Sequence, residues 1–174
     1  MKPQYFISSL LIFFVLNGVY GDIVTDTCKK IADEEVPYDF CVATLQADPD
    51  SRTADLYELN LIAMRLGKAN ITSIESYIQT LSKDKKWDNL MQECFKTCME
   101  MFDDGKTNLD DAMNEFNSKS YRATFDSLTA ALQAPSSCEE TFTEFEGLVS
   151  PLTKMNGDCN TLFVIPMKIT LLFK

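Results

Sequence analysis

Histidine is absent from all 174 residues of this chain. That removes Ser-His-acid and Cys-His catalysis, together with the imidazole ligands of most zinc and haem sites. Positive charge is also scarce. The chain holds 16 Lys and Arg against 26 Asp and Glu, a net charge of −10, which is the wrong sign for gripping nucleic acid. Glycine occurs only six times and never as a phosphate-cradling loop. No stretch of four or more residues alternates in the manner of a half-buried strand. The acids from Asp103-Asp104-Gly105 through Asp110-Asp111 lack the acid-x-acid-x-acid-Gly order of a calcium loop, so helix caps and a solvated face account for them. Glu139, Glu140, Glu144 and Glu146 read in the same way, as helix-terminal acids near Cys138 rather than paired catalytic carboxylates. These absences predict a protein that is not an enzyme, with no metal, no cofactor and no nucleic-acid partner.

What the chain does have is cysteine, six of them, and an export tag. Lys2, an apolar run from Tyr5 to Leu16, and Val19-Tyr20-Gly21 make residues 1–21 a secretory signal peptide. The run is about 12 residues, too short to cross about 30 Å of hydrocarbon as a helix. Removing 21 of the 174 residues leaves 153, enough for one domain with its own core. Lys2 is the only charge lost, which takes the net charge from −10 to −11. The apolar tail from Leu162 to Phe173 is broken by Pro166 and Lys168, so it reads as a buried helix rather than a membrane span. The destination is the exterior, cell wall or vacuole, where thiols oxidise.

Helical periodicity fills the remainder. Leu56, Leu59, Ala63, Leu66, Ile74, Tyr77 and Leu81 draw a stripe from a start near Ser51 or Thr53, and Lys83–Lys86 ends it. A second stripe, Trp87, Met91, Cys94, Cys98 and Met101, runs on toward Phe116, with Gly105 a weak point inside it. Tyr121, Phe125, Leu128 and Leu132 make a third. Pro135 is expected to kink or interrupt it, with Ser136-x-x-Glu139 able to recap the continuation. Leu152, Met155, Cys159, Leu162 and Ile169 make a fourth, with Pro151 in its first turn and a bend at Pro166. The fold class is all-α. A disulfide-closed helical hairpin over residues 22–47 precedes an up-down-up-down four-helix bundle over residues 53–174.

Register selects the bridges. If the second and third bundle helices fold back about residue 119, Cys98 lies about 21 positions before the turn and Cys138 about 19 after. At about 1.5 Å per residue their heights nearly match, whereas Cys94 sits a turn too far along. Cys28 and Cys41 flank Pro37-Tyr38 in the hairpin and pair across it, closing a local loop against the outside of the bundle core. Cys94 and Cys159 remain, either as buried thiols or as a third bridge. Asn70-Ile71-Thr72 is a glycosylation sequon inside the first bundle helix.

These pieces resemble the plant invertase and pectin methylesterase inhibitors. Cys98-Met-Glu-Met-Phe102-Asp103-Asp104 is similar to that family's Cys-x-x-x-Tyr-x-Asp run, and Leu128-Thr-Ala-Ala-Leu132 with Cys138-Glu-Glu-Thr-Phe142 to its later segments. Asp22-Ile23-Val24, Thr27-Cys28-Lys29-Lys30, Tyr38-Asp39-Phe40-Cys41-Val42, Ala47-Asp48-Pro49, Thr53-Ala54-Asp55-Leu56 and Gly147-Leu-Val-Ser-Pro151-Leu-Thr-Lys154 extend the match to its pollen-allergen branch of invertase-inhibitor-like proteins. The resemblance implies a one-to-one protein complex that blocks the substrate cleft of a carbohydrate-acting enzyme. Pectin methylesterase is the favoured target and acid invertase the alternative. Invertase inhibitors of the family carry a Pro-Lys-Phe tripeptide after the second bundle helix. Here Ser120-Tyr121-Arg122-Ala123 stands in its place, making Tyr121, Arg122 and Ala123 the candidate target contacts. The expected state is a monomer, with exchange of the hairpin between two molecules as its route to a dimer. Two readings from other classes compete: a non-inhibitory pollen protein, and an insect-type odorant carrier. For the carrier, the cysteine gaps of 12, 52 and 20 residues do not fit.

Peptide mapping without reduction checks the register. Cys28–Cys41 and Cys98–Cys138 linked peptides are expected, and a Cys94–Cys138 peptide would shift the whole helix pair by about one turn.

Overall fold

A computed structural model describes residues 22–173; the signal-peptide segment lies outside them. Six helices and no strand are found among the described residues: α1 (Ile23–Ile31), α2 (Tyr38–Gln46), α3 (Leu56–Ser82), α4 (Asn89–Asn117), α5 (Tyr121–Thr143) and α6 (Thr153–Thr170), with a 3-10 turn at Pro49–Arg52. The all-α hairpin-plus-bundle architecture is therefore the one the periodicity predicts. Helices α3 to α6 run alternately up and down in a closed ring, each packing on two others. Along the ring's axis lie Phe95, Phe102, Phe116, Phe142 and Phe163, all fully buried, so the interior is filled rather than hollow. Truncating one of these rings to Ala costs about 3–5 kcal/mol, against a domain stability of about 5–15.

The helix boundaries show what local chemistry overrode. Helix α3 begins later than the Ser51 or Thr53 start, because Asp55 and Glu58 form a reciprocal capping box: Glu58 N–H donates to Asp55 at 2.8 Å and Asp55 N–H to Glu58 at 3.0 Å. Asp88, rather than Trp87, opens α4 by accepting from Met91 N–H at 2.9 Å. On α3 the stripe positions Leu59, Ala63 and Ile74 are buried, but toward its end Ile71 and Ile78 take the inner face while Tyr77 is exposed; the stripe drifts because 3.6 residues per turn does not hold a fixed repeat.

The two prolines expected to break or bend helices sit inside continuous ones. Pro135 lies within α5 and Pro166 within α6. Each removes a ladder bond at a cost of about 3 kcal/mol. Both rings are buried, so packing against the core offsets the loss. The recap at Ser136-x-x-Glu139 consequently does not form. Ser136 donates to Leu132 O and Asn160, and Glu139 turns to α6. Pro151 lies two residues before α6 rather than in its first turn.

Gly105 is a point of contact rather than of weakness. A Cβ there would stand 2.9 Å from Ala134 Cβ and 3.3 Å from Ile71 Cδ1, so only glycine lets α4 and α5 approach this closely. About two turns earlier on α4, Cys98 is bonded to Cys138 with their Cα atoms 4.7 Å apart. Across the ring, α3 meets α4 through Lys106 and Glu75 at 2.7 Å, with Glu75 nearly buried. This pair holds the Lys106 ammonium above its ordinary pKa, and Asp103 adds to the effect. Its stabilisation is therefore complete below the normal lysine range and fades only as pH rises through the raised value. The Lys68–Asp110 pair on the same seam is exposed and is worth about 1 kcal/mol or less.

Cys28 is bonded to Cys41 with Cα atoms 5.7 Å apart, closing α1 on α2. The hairpin does not merely rest on the outside of the bundle. Val24, Ile31, Val36 and Leu45 are buried in the same contiguous core as the bundle phenylalanines. The sequence pattern misses this because two nine-residue helices show too few turns for their inner faces to be matched to a partner. Lys168 on α6 pairs with Asp33 and with Glu35 at 3.5 Å, pinning the hairpin turn. Lys168 and two backbone N–H groups hold the Asp33 carboxyl below its usual range.

The longer loop closed by Cys98–Cys138, 40 residues against 13, carries about 4 rather than about 3 kcal/mol in the chain-entropy treatment. Cys98→Ser with Cys138→Ser is thus expected to melt lower than Cys28→Ser with Cys41→Ser. Thermal unfolding of both double variants decides this, and the reverse order would make the hairpin the more essential unit.

Candidate functional site

The chain reverses between α4 and α5 at the residue about which the register was drawn. Lys119 has φ of 58°, in the left-handed region. Lys119 N–H donates to Phe116 O at 2.9 Å and Ser120 N–H to Glu115 O at 2.8 Å, the paired bonds of a Schellman ending. That motif usually takes glycine at its left-handed position; here a lysine occupies it. The connection is therefore only three residues, Ser118 to Ser120, and it projects no loop.

Tyr121 is the first residue of α5 and packs rather than protrudes. Its ring lies 5.5 Å from Phe116 and 5.2 Å from Phe173, while Phe116 stacks on Tyr57 at 4.8 Å and meets Phe173 edge-on at 5.0 Å. Tyr57 hydroxyl donates to Asn117 Oδ1 at 2.6 Å, joining the start of α3 to the end of α4. Arg122 is the exposed member, its side chain 89% accessible, and its Nε pairs with Asp126 one turn on at 3.2 Å. Ala123 is half-buried beside it. Between α5 and the chain's end opens a cleft of about 390 Å³, lined by Tyr121, Arg122, Phe125, Asp126, Leu171 and Phe173. Leu171 is 65% exposed at its lip.

Tyr57, Phe116, Leu171 and Phe173 were not singled out by sequence reasoning. The signal was present: in an up-down-up-down bundle the start of the first helix, the turn after the second and the end of the fourth share one end. Aromatics at those three places must meet.

The other candidate residues fall elsewhere. Cys94 and Cys159 are both free and buried, so the structure has no third bridge between them. Burial pushes the Cys159 thiol up to about 12, and burial with neighbouring acids raises Cys94. Asn70 is half-buried midway along α3, its Oδ1 enclosed without a partner, and Thr72 hydroxyl donates to Lys68 O at 3.0 Å. The acids of α4 do not converge: Asp103 faces Lys106, Asp110 faces Lys68, and among the described residues no cluster could hold a metal ion. Glu139 has a role the spacing did not reveal. Its carboxylate accepts from the side chains of Ser150 at 2.9 Å, Thr153 at 2.5 Å and Asn156 at 2.8 Å, and so ties α5 to the start of α6 through side chains. Among the described residues no helix is long and apolar enough to cross a membrane.

A family model described as plant invertase/pectin methylesterase inhibitor matches residues 22–165. A Platanus orientalis protein named "Putative invertase inhibitor" is 37% identical, over 93% of this chain and 94% of its own. "Pectinesterase inhibitor 12" of Arabidopsis thaliana is 32% identical, over 95% and 97%. The crystal structure of a mutant form of an Arabidopsis pectin methylesterase inhibitor superposes with a TM-score of 0.68 at 17% identity, covering 87% of this chain and 97% of that one, which establishes a shared fold.

Two thiols whose ionisation burial opposes should be silent in the native state. Alkylation at neutral pH is expected to label neither Cys94 nor Cys159 until denaturant is added, and then both. Rapid native labelling of Cys94 would show that its end of the α4–α5 seam opens.

Proposed function

The chain belongs to the plant invertase/pectin methylesterase inhibitor family, a family of inhibitors rather than enzymes whose members are extracellular or vacuolar, and on that premise we propose that it is an exported inhibitor of pectin methylesterase. Residues 1–21 are removed on export, and the domain from Asp22 onward acts as a monomer in a one-to-one complex. It performs no bond-making of its own. A rigid bundle laid across the enzyme's groove excludes the polysaccharide, and the binding energy of the interface is the whole mechanism.

One observation carries the choice of target. The α4–α5 connection is three residues long, and Tyr121 is held in the helix by Phe116 and Phe173, so no finger stands out to enter a narrow sugar pocket. A flat helical face suits the open groove of a polymer-acting enzyme better. The invertase reading has its own support in the name of the Platanus relative and in Arg122, an exposed cation where the tripeptide's lysine would be.

Parallel titration against a plant pectin methylesterase and an acid invertase separates the two. Inhibition of the esterase is expected, weakening as salt rises, because charges at an exposed interface are screened within about 8–10 Å. Arg122→Glu should change esterase inhibition little. A loss of tenfold or more against invertase, with no effect on the esterase by the unmodified protein, would transfer the assignment to invertase.

A further inference from the structure

We propose that the cleft between α5 and the chain's end binds the terminal uronate of an acidic saccharide. Three kinds of group meet there. Tyr121, Phe125 and Phe173 give the cleft an aromatic lining, apolar surface against which the C–H groups of a pyranose can pack. Arg122 offers a guanidinium that is 89% exposed and engages Asp126 only through Nε, leaving its planar fork to receive a carboxylate side-on. Asp126 offers carboxylate oxygens one helical turn away, placed to accept from sugar hydroxyls. A neutral sugar has no use for the guanidinium, and an aromatic acid has none for the second carboxylate. A uronate uses all three.

The volume, about 390 Å³, falls at the small end of ligand clefts and suits the end of a chain rather than its middle. Lys119, three residues before Arg122 and also exposed, adds a second cation at this tip of an otherwise acidic molecule. The choice of an acidic saccharide rests on the pectin methylesterase reading, since de-esterification is the reaction that exposes such carboxylates. The cleft itself does not depend on that reading.

The test uses the purified protein with no enzyme present, so its outcome is independent of whether inhibition occurs. Trigalacturonate is titrated against isotope-labelled protein, beside its full methyl ester and neutral maltotriose. Saturable shifts confined to Tyr121, Arg122, Phe125 and Phe173 are expected for the acid. At least tenfold weaker binding is expected for the ester, for maltotriose and for Arg122→Gln, a substitution whose exposure keeps the fold intact. Equal binding of acid and ester, unchanged binding by R122Q, or shifts located elsewhere would each overturn the proposal. So would the absence of saturation.

Discussion

The seam between α4 and α5 is the constraint on which the other elements depend. Gly105 permits the two backbones to come within a Cβ of collision at Ala134, and the Cys98–Cys138 bond fixes their relative height. Once these two helices are locked in register, the Schellman turn at Lys119 closes one end, and Phe102, Phe116 and Phe142 project inward at set levels. Helices α3 and α6 then have a defined surface to cover. They do so with a glycine of their own, Gly67, whose missing Cβ admits the Phe163 ring. Dense packing of this kind transmits position: a helix end stays where the far end of its neighbour puts it.

Much of this was legible in the residues because helix periodicity and the 1.5 Å rise are geometric, and geometry survives without knowledge of partners. The register about residue 119 needed only two cysteines and a polar break. The boundaries were less legible, since Asp55, Ser51 and Thr53 are all competent caps, and only the reciprocal bond from Glu58 separates them. That Pro135 leaves α5, and Pro166 leaves α6, an unbroken helix has a related reason. A proline's local cost is fixed, but the burial that offsets it is tertiary and leaves no trace in the neighbouring sequence. The candidate site was half visible. Tyr121 and Arg122 stood out by position, whereas their cleft is completed by Leu171 and Phe173, some fifty residues later, and only the topology brings them together.

The absence of histidine and the absence of converging acids acquire a positive meaning in this fold. A protein that works by covering another's cleft needs a surface that does not yield, and every ionisable group placed for chemistry would be one not placed for rigidity. Here acids and bases hold helices: Glu75 with Lys106 joins α3 to α4, and Lys168 with the exposed Asp33 and Glu35 joins α6 to the hairpin. Members of one family can therefore face different enzymes without rebuilding the core.

Glu139 bears on how such a family diversifies. Because Glu139 of α5 gathers the side chains of Ser150, Thr153 and Asn156, the start of α6 is tied across the gap to the opposite helix. Within the intervening loop, residues 144–152, Ser150 and the buried Leu152 belong to that tie, and the unconstrained stretch is the one around Gly147, where an added Cβ would meet nothing within 4 Å. The loop's closure entropy grows only slowly with length. Insertions, foreign epitopes or affinity tags introduced around Gly147 would leave the bundle's register undisturbed, which makes this loop the natural place for evolution, or an engineer, to write new sequence.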